Sequence, residues 1–275
     1  MAYFDVFNIR KPGKGVEKNE YTPRFPLYFE LLWAKLWMMC KTNLMYLASC
    51  APVIFFMWLG YSAVCTGTLA TLKGVAYLTL CTVYLPVVGV GVFMPGLAFL
   101  TRAYARREHV WIFSDYKDKI IENIKSGLLL FAADTAVLYV SVICFSFYGS
   151  LAAGNKILYV PLCFLAVCLL VYFMMHFYIY QVMATFDLRL RDVLKDSLIM
   201  TVAHFPWNLL ILVLISVFSF LLYLFNITIG ITIGAAVAVT VFNYTISYMT
   251  DPIIDRYLYI PSATIEENKR RRENK

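Results

Sequence analysis

Four stretches of this 275-residue chain hold no Asp, Glu, Lys or Arg: residues 42–72, 74–101, 157–186 and the 54 residues of 197–250. A fifth, 127–149, is interrupted only by Asp134. Crossing roughly 30 Å of hydrocarbon takes about 20 apolar residues in a helix, which satisfies its own backbone N–H and C=O groups where water cannot. Each run is therefore long enough for one crossing, and the longest for two. That longest run divides at Asn226-Ile-Thr-Ile-Gly230, where helical propensity falls and turn chemistry collects. Composition agrees: charged residues make up 15% of the chain, against about 25% in soluble domains, too few to coat a surface facing water. The expected fold is all-α, an integral membrane bundle of six transmembrane helices at about 42–63, 76–100, 127–149, 157–184, 207–226 and 230–250.

The basic residues orient this bundle. Of the 24 Lys and Arg, seven precede residue 42, six lie between 102 and 125, three between 189 and 195, and six from Arg256 onward. Lys73 and Lys156 stand alone in the alternate connections. Cytoplasmic loops carry the excess of Lys and Arg, so both termini are expected in the cytoplasm. The chain then reads as a cytoplasmic N-terminal segment (1–26), a transmembrane domain (27–260) and a basic cytoplasmic tail (261–275). The net charge of +7 follows from this topology, and Lys269 to Arg272 suit anionic headgroups rather than nucleic acid. No apolar segment with a cleavage site opens the chain, so the first membrane helix serves as an uncleaved insertion signal. Three cytoplasmic segments, 27–41, 113–125 and 186–198, place apolar and charged residues on opposite helix faces. Periodicity leaves open whether they lie along the interface or extend membrane helices.

Several chemistries are missing from the pattern. There is no phosphate-binding G-x-x-x-x-G-K-[ST], no H-E-x-x-H and no G-x-S-x-G. Seven cysteines without a C-x-x-C spacing and three dispersed histidines give neither a disulfide framework nor a zinc site. No catalytic site, metal or cofactor is expected.

From Met94 the chain reads Met-Pro-Gly-Leu-Ala-Phe-Leu-Thr-Arg-Ala-Tyr-Ala-Arg-Arg-Glu-His, then Phe113-Ser-Asp-Tyr-Lys, then Glu122-Asn-Ile-Lys-Ser. This order resembles the YesL-like family of small bacterial membrane proteins, with Pro95, Arg102, Glu108, Asp115 and Asn123 at the motif positions. The likeness covers residues 8–126 best, and departs from the family in Met94-Pro95-Gly96 for Gly-Pro-Ala and in Tyr116 for Phe. Family members are often encoded beside carbohydrate ABC transporters and two-component systems. The resemblance implies a non-enzymatic protein of the bacterial cytoplasmic membrane, accessory to carbohydrate uptake of the ABC type or to its sensing, with a transporter permease or sensor kinase as partner.

The residues themselves offer an alternative, a stand-alone transporter of a lipid or small amphiphile. Asp134 is the only Asp, Glu, Lys or Arg inside an expected span, at an insertion cost of roughly 2.5–3.5 kcal/mol that neighbouring apolar residues offset. His176 is the only histidine inside one. Their depths differ by roughly 5–8 Å at about 1.5 Å per residue, so the pair meets only if the helices tilt favourably; otherwise Tyr172 or Tyr180, one turn away, satisfies the imidazole. Pro86 and Pro95, with Gly89, Gly91 and Gly96, interrupt the second span, either as ordinary kinks or as a broken helix that bares carbonyls to a substrate. Gly230, Gly234 and Ala238 form a small-residue stripe suited to close helix packing.

Overall fold

The computed structural model describes residues 24–64, 70–152 and 156–259. The N-terminal segment to residue 23 and the basic tail with Lys269 to Arg272 lie outside the described residues, as does the side chain of Pro86. Among the described residues the fold is all-helical. In order it comprises α1 (Arg24–Ser49), α2 (Ala51–Val64), α3 (Ala70–Val87), α4 (Met94–Ala105), α5 (Ile112–Ala152) and α6 (Tyr159–Thr185). It continues with α7 (Leu190–Ala203), α8 (Phe205–Phe225), α9 (Ile227–Ile233), a π-helical turn (Gly234–Ala238) and α10 (Val239–Ile254).

Four helical stretches are long and apolar enough to cross a membrane: Ile112–Leu151, Lys156–Thr185, Phe205–Phe225 and Ile227–Leu258. A fifth arises if α1 and α2, bent by 78°, are taken as one span. The expected crossing at 42–63 therefore straddles a corner at Cys50. Pro52, in the first turn of α2, has no N–H to give the carbonyl of Ala48, which releases the chain from its helical course.

The expected crossing at 76–100 is likewise two helices. Gly89 adopts a left-handed backbone (φ +53°), open to glycine at little cost, and Pro86 supplies no N–H to the last turn of α3. The chain turns through residues 88–93 and α4 restarts at Met94, with Pro95 in its first turn, where a missing N–H costs nothing. Elsewhere the amphipathic segments fall in different kinds of element. Residues 113–125 continue without a break into the 41-residue α5, and 27–41 belong to α1. α7 is a separate helix that ends at His204, just before Pro206.

The outward surface is apolar. Leu128, Leu129, Leu138, Val140, Val142 and Ile143 on α5, and Val213, Leu214, Val217 and Phe218 on α8, are exposed, the reverse of a soluble protein and the arrangement hydrocarbon favours. The core sits between α4, α6, α8 and α10, around Leu97, Phe177, Tyr178, Ile211 and Ile246. Gly91 and Gly127 let the α3–α4 link and α5 touch backbone to backbone: a Cβ at Gly127 would stand 2.6 Å from the carbonyl of Gly91. On the small-residue stripe, Gly230 and Gly234 face Tyr223 of α8, within the chain, and Ala238 is buried.

Asn43 of α1 holds the π-turn. Its Nδ2 donates to the carbonyls of Gly234 (3.3 Å) and Ala235 (2.8 Å), and its Oδ1 accepts from the N–H (3.0 Å) and hydroxyl (3.2 Å) of Thr240. A carbonyl only accepts and an N–H only donates, so this network fixes the amide's orientation. The side chain thus bridges the carbonyl of Ala235 and the N–H of Thr240, five residues apart, across the π-turn. Asn43→Leu strands both in a buried setting at about 1–3 kcal/mol each. The expected result is a clear drop in the detergent melting temperature, whereas Asn43→Gln should retain part of the stability.

Candidate functional site

Asp134 lies midway along α5, on the one narrow stripe of the helix's membrane half that turns inward with Leu130 and Ser141. α6 supplies the facing surface: Tyr172, His176 and Tyr180 follow each other at four-residue intervals, which stacks them on one helix face. The two sequence-predicted residues meet. His176 Nε2 is 3.0 Å from Asp134 Oδ1, and both residues are buried, 2% and 4% exposed. The Tyr172 hydroxyl donates to the same oxygen at 2.5 Å, and the Tyr180 hydroxyl stands 3.4 Å from Oδ2. The other imidazole nitrogen, Nδ1, lies 3.0 Å from the Tyr172 carbonyl, so both alternatives for His176, the acid and the tyrosine one turn away, are realised together. The imidazole is framed by the rings of Tyr172 and Tyr180, with centroids at 5.0 and 5.7 Å.

This cluster touches the broken α3–α4 segment. Tyr180 donates to the carbonyl of Val88 at 3.0 Å, directly before Gly89, and Tyr46 of α1 donates to the carbonyl of Leu85 at 2.9 Å. Two carbonyls at the end of α3 are thereby held by buried tyrosines from two other helices. Of the predicted interruptions, Pro86 and Gly89 adjoin these carbonyls along the chain, while Pro95 is buried in the first turn of α4.

A second polar centre ties α4 to α10. Arg102 Nε and Arg106 Nε lie 2.9 and 2.8 Å from Asp251 Oδ1, Arg102 Nη2 is 3.5 Å from Asp255, and Arg106 also pairs with Asp255. Arg102 Nη1 donates to Thr185 of α6 at 2.6 Å. Above this quartet, Thr101, Asn243, Ser247 and Gln181 form a buried uncharged network.

The remaining motif positions are local. Glu108 is exposed beyond α4. Asp115 accepts from the Trp111 N–H at 2.8 Å and so caps α5, and Asn123 bonds the Lys119 carbonyl within the same helix. Sequence reasoning set Tyr172 and Tyr180 beside His176 but missed their hydroxyls' contacts with Asp134 and Val88, and it missed Asn43 and the whole arginine–aspartate quartet. The quartet did leave a trace: Arg102/Arg106 and Asp251/Asp255 are complementary pairs at four-residue spacing on two helices.

No protein-family model, curated protein or solved structure matches the chain.

Proposed function

We propose that this chain is a multi-pass protein of a bacterial cytoplasmic membrane, with six crossings and both termini inside, that works without catalysis as a carrier of a lipid or small amphiphile. Its ion-coupling centre is Asp134–His176. The observation carrying this reading is the 3.0 Å contact between the only acid and the only histidine of the expected spans, next to a helix interrupted at Gly89. Buried ionisable groups inside a membrane bundle are costly and mark ion pathways, and broken helices are where carriers build their sites. Counting α1–α2 and α3–α4 each as one interrupted crossing, with α5, α6, α8 and α9–α10, makes six.

The topology has a direct test. Cysteines placed at Lys73 and Lys156 should react with an impermeant maleimide from outside intact cells, and one at Lys119 should not; labelling at position 119 would overturn the orientation. For the carrier, the full-length protein in liposomes containing a fluorescent phospholipid should speed transbilayer lipid movement, read by reduction of the outer-leaflet probe. Asp134→Asn should slow it about tenfold or more, the equivalent of roughly 1.4 kcal/mol in the barrier, with the protein still monodisperse. Lipid movement unaffected by that substitution would sink the assignment.

The accessory reading draws on α7, which packs on α6 through Val193, Ser197 and Met200 yet exposes Leu198, Ile199 and Val202. Purification at native level in mild detergent, with mass spectrometry of what co-elutes, separates the two. Stoichiometric permease or sensor-kinase chains favour the accessory role, and one tightly held lipid favours the carrier.

A further inference from the structure

We infer that the ion held at this site is a single proton shared between Asp134 Oδ1 and His176 Nε2, and that the Tyr180 hydroxyl relays its presence to the break between α3 and α4. The proton's use in transport rests on the carrier reading; the site chemistry rests on bond geometry alone. The backbone carbonyl of Tyr172 can only accept, so His176 Nδ1, 3.0 Å away, carries a hydrogen. One proton then remains to be placed between Nε2 and Oδ1, also 3.0 Å apart. With it the pair is either imidazolium with carboxylate or imidazole with carboxylic acid, and both forms are neutral overall. Without it two lone pairs face each other and a whole negative charge is stranded among apolar helices. Moving the Nδ1 hydrogen to Nε2 does not help, because the Tyr172 carbonyl then faces a lone pair. The pair keeps its proton or gives up a bond.

A metal cation suits the site poorly. Hard cations gather oxygen ligands, about six to eight for calcium, but this carboxylate faces one imidazole nitrogen and two tyrosine hydroxyls, of which the Tyr172 hydroxyl at 2.5 Å already donates to it and the Tyr180 hydroxyl stands at 3.4 Å. The titratable groups facing Asp134 are His176, Tyr172 and Tyr180 from α6 and Tyr84 from α3. Among the described residues its one ion-pair partner is His176.

Tyr180 has one hydroxyl proton and two acceptors, the Val88 carbonyl at 3.0 Å and Asp134 Oδ2 at 3.4 Å. While the shared proton is present the nearer carbonyl holds it. When that proton passes to water, the carboxylate's charge is no longer balanced by the imidazole, and it accepts a hydrogen bond roughly twice as strong as a neutral one. The hydroxyl then turns to Oδ2 and leaves the Val88 carbonyl uncapped, one residue before the left-handed Gly89 on which the turn depends. Proton loss thus loosens the α3–α4 link, and rebinding of one proton from water restores it. No electron moves, and apart from the Tyr180 hydrogen bond and the one transferred proton no bond is exchanged.

The test uses the full-length protein in lipid nanodiscs, by infrared difference spectroscopy across pH and by hydrogen–deuterium exchange of the 85–94 segment corrected for intrinsic rates. The native protein should show one carboxyl–imidazole titration, with protection of that segment falling about tenfold over the same pH range, a factor equal to about 1.4 kcal/mol of opening. Asp134→Asn should abolish both signals. Tyr180→Phe, a milder change, should keep the titration and leave the segment open at either pH. A titration that survives Asp134→Asn, or a segment in Tyr180→Phe that still opens with pH as the native one does, overturns the inference. Lipid movement in liposomes separates it from the carrier reading: titration and opening without lipid movement remove the carrier and keep the inference. Movement that follows sodium and ignores pH keeps the carrier and removes the inference.

Discussion

His176→Leu is expected to destabilise the protein by about 3–5 kcal/mol, the usual cost of leaving one member of a buried charge pair without its partner. The carboxylate of Asp134 would keep the Tyr172 hydroxyl at 2.5 Å but lose the group that balances its charge. In mild detergent this corresponds to a fall in melting temperature of about 6–20 °C, taking about 2–4 °C per kcal/mol for a chain of this size. Asp134→Leu should cost less, since it leaves an imidazole free to be neutral and still bonded to the Tyr172 carbonyl. The double variant should recover much of the loss, because replacing both partners by apolar groups removes the stranded charge. Losses that simply add, measured in a double-mutant cycle, would show that the two side chains do not act as a pair.

Arg102→Met is the second large effect, again about 3–5 kcal/mol. The Arg102 guanidinium is 4% exposed and reaches Asp251, Asp255 and Thr185 at once. Its removal leaves the carboxylates of Asp251 and Asp255 sharing Arg106. The α4–α10 contact should loosen, seen as earlier unfolding and faster hydrogen exchange in 251–259. Arg107→Met is the control: its pair with Glu30, at 3.6 Å, joins side chains that are 53% and 60% exposed. Such surface pairs contribute about 0–1 kcal/mol, so the melting temperature should barely move. Equal losses in the two variants would contradict the quartet's place in the packing.

Much of the fold was legible in one dimension because hydrocarbon imposes a length and a composition on whatever crosses it. The uncharged runs 127–149 and 157–186 became the membrane parts of α5 and α6, and Asn226, picked as a turn, caps α9 through the N–H of Ile229. Interruptions were harder. Pro52, Pro86 and Gly89 are visible to any reader, yet the same residues kink an intact helix in one setting and end it in another. What decides is whether the freed carbonyls find partners elsewhere, as Leu85 finds Tyr46 and Val88 finds Tyr180.

The sequence by itself determined the class of the protein, the location of its long apolar helices and the two residues around which polar chemistry could gather, because hydropathy, charge and helix periodicity are local properties. Tertiary structure alone decided that Asp134 and His176 meet, that Tyr172 and Tyr180 complete their cluster, that Asn43 bridges a π-turn about 190 residues away, and that Arg102 and Arg106 find Asp251 and Asp255. These are contacts between side chains far apart along the chain. They depend on the tilt, rotation and register of packed helices, which interlocking side chains settle and no single segment contains.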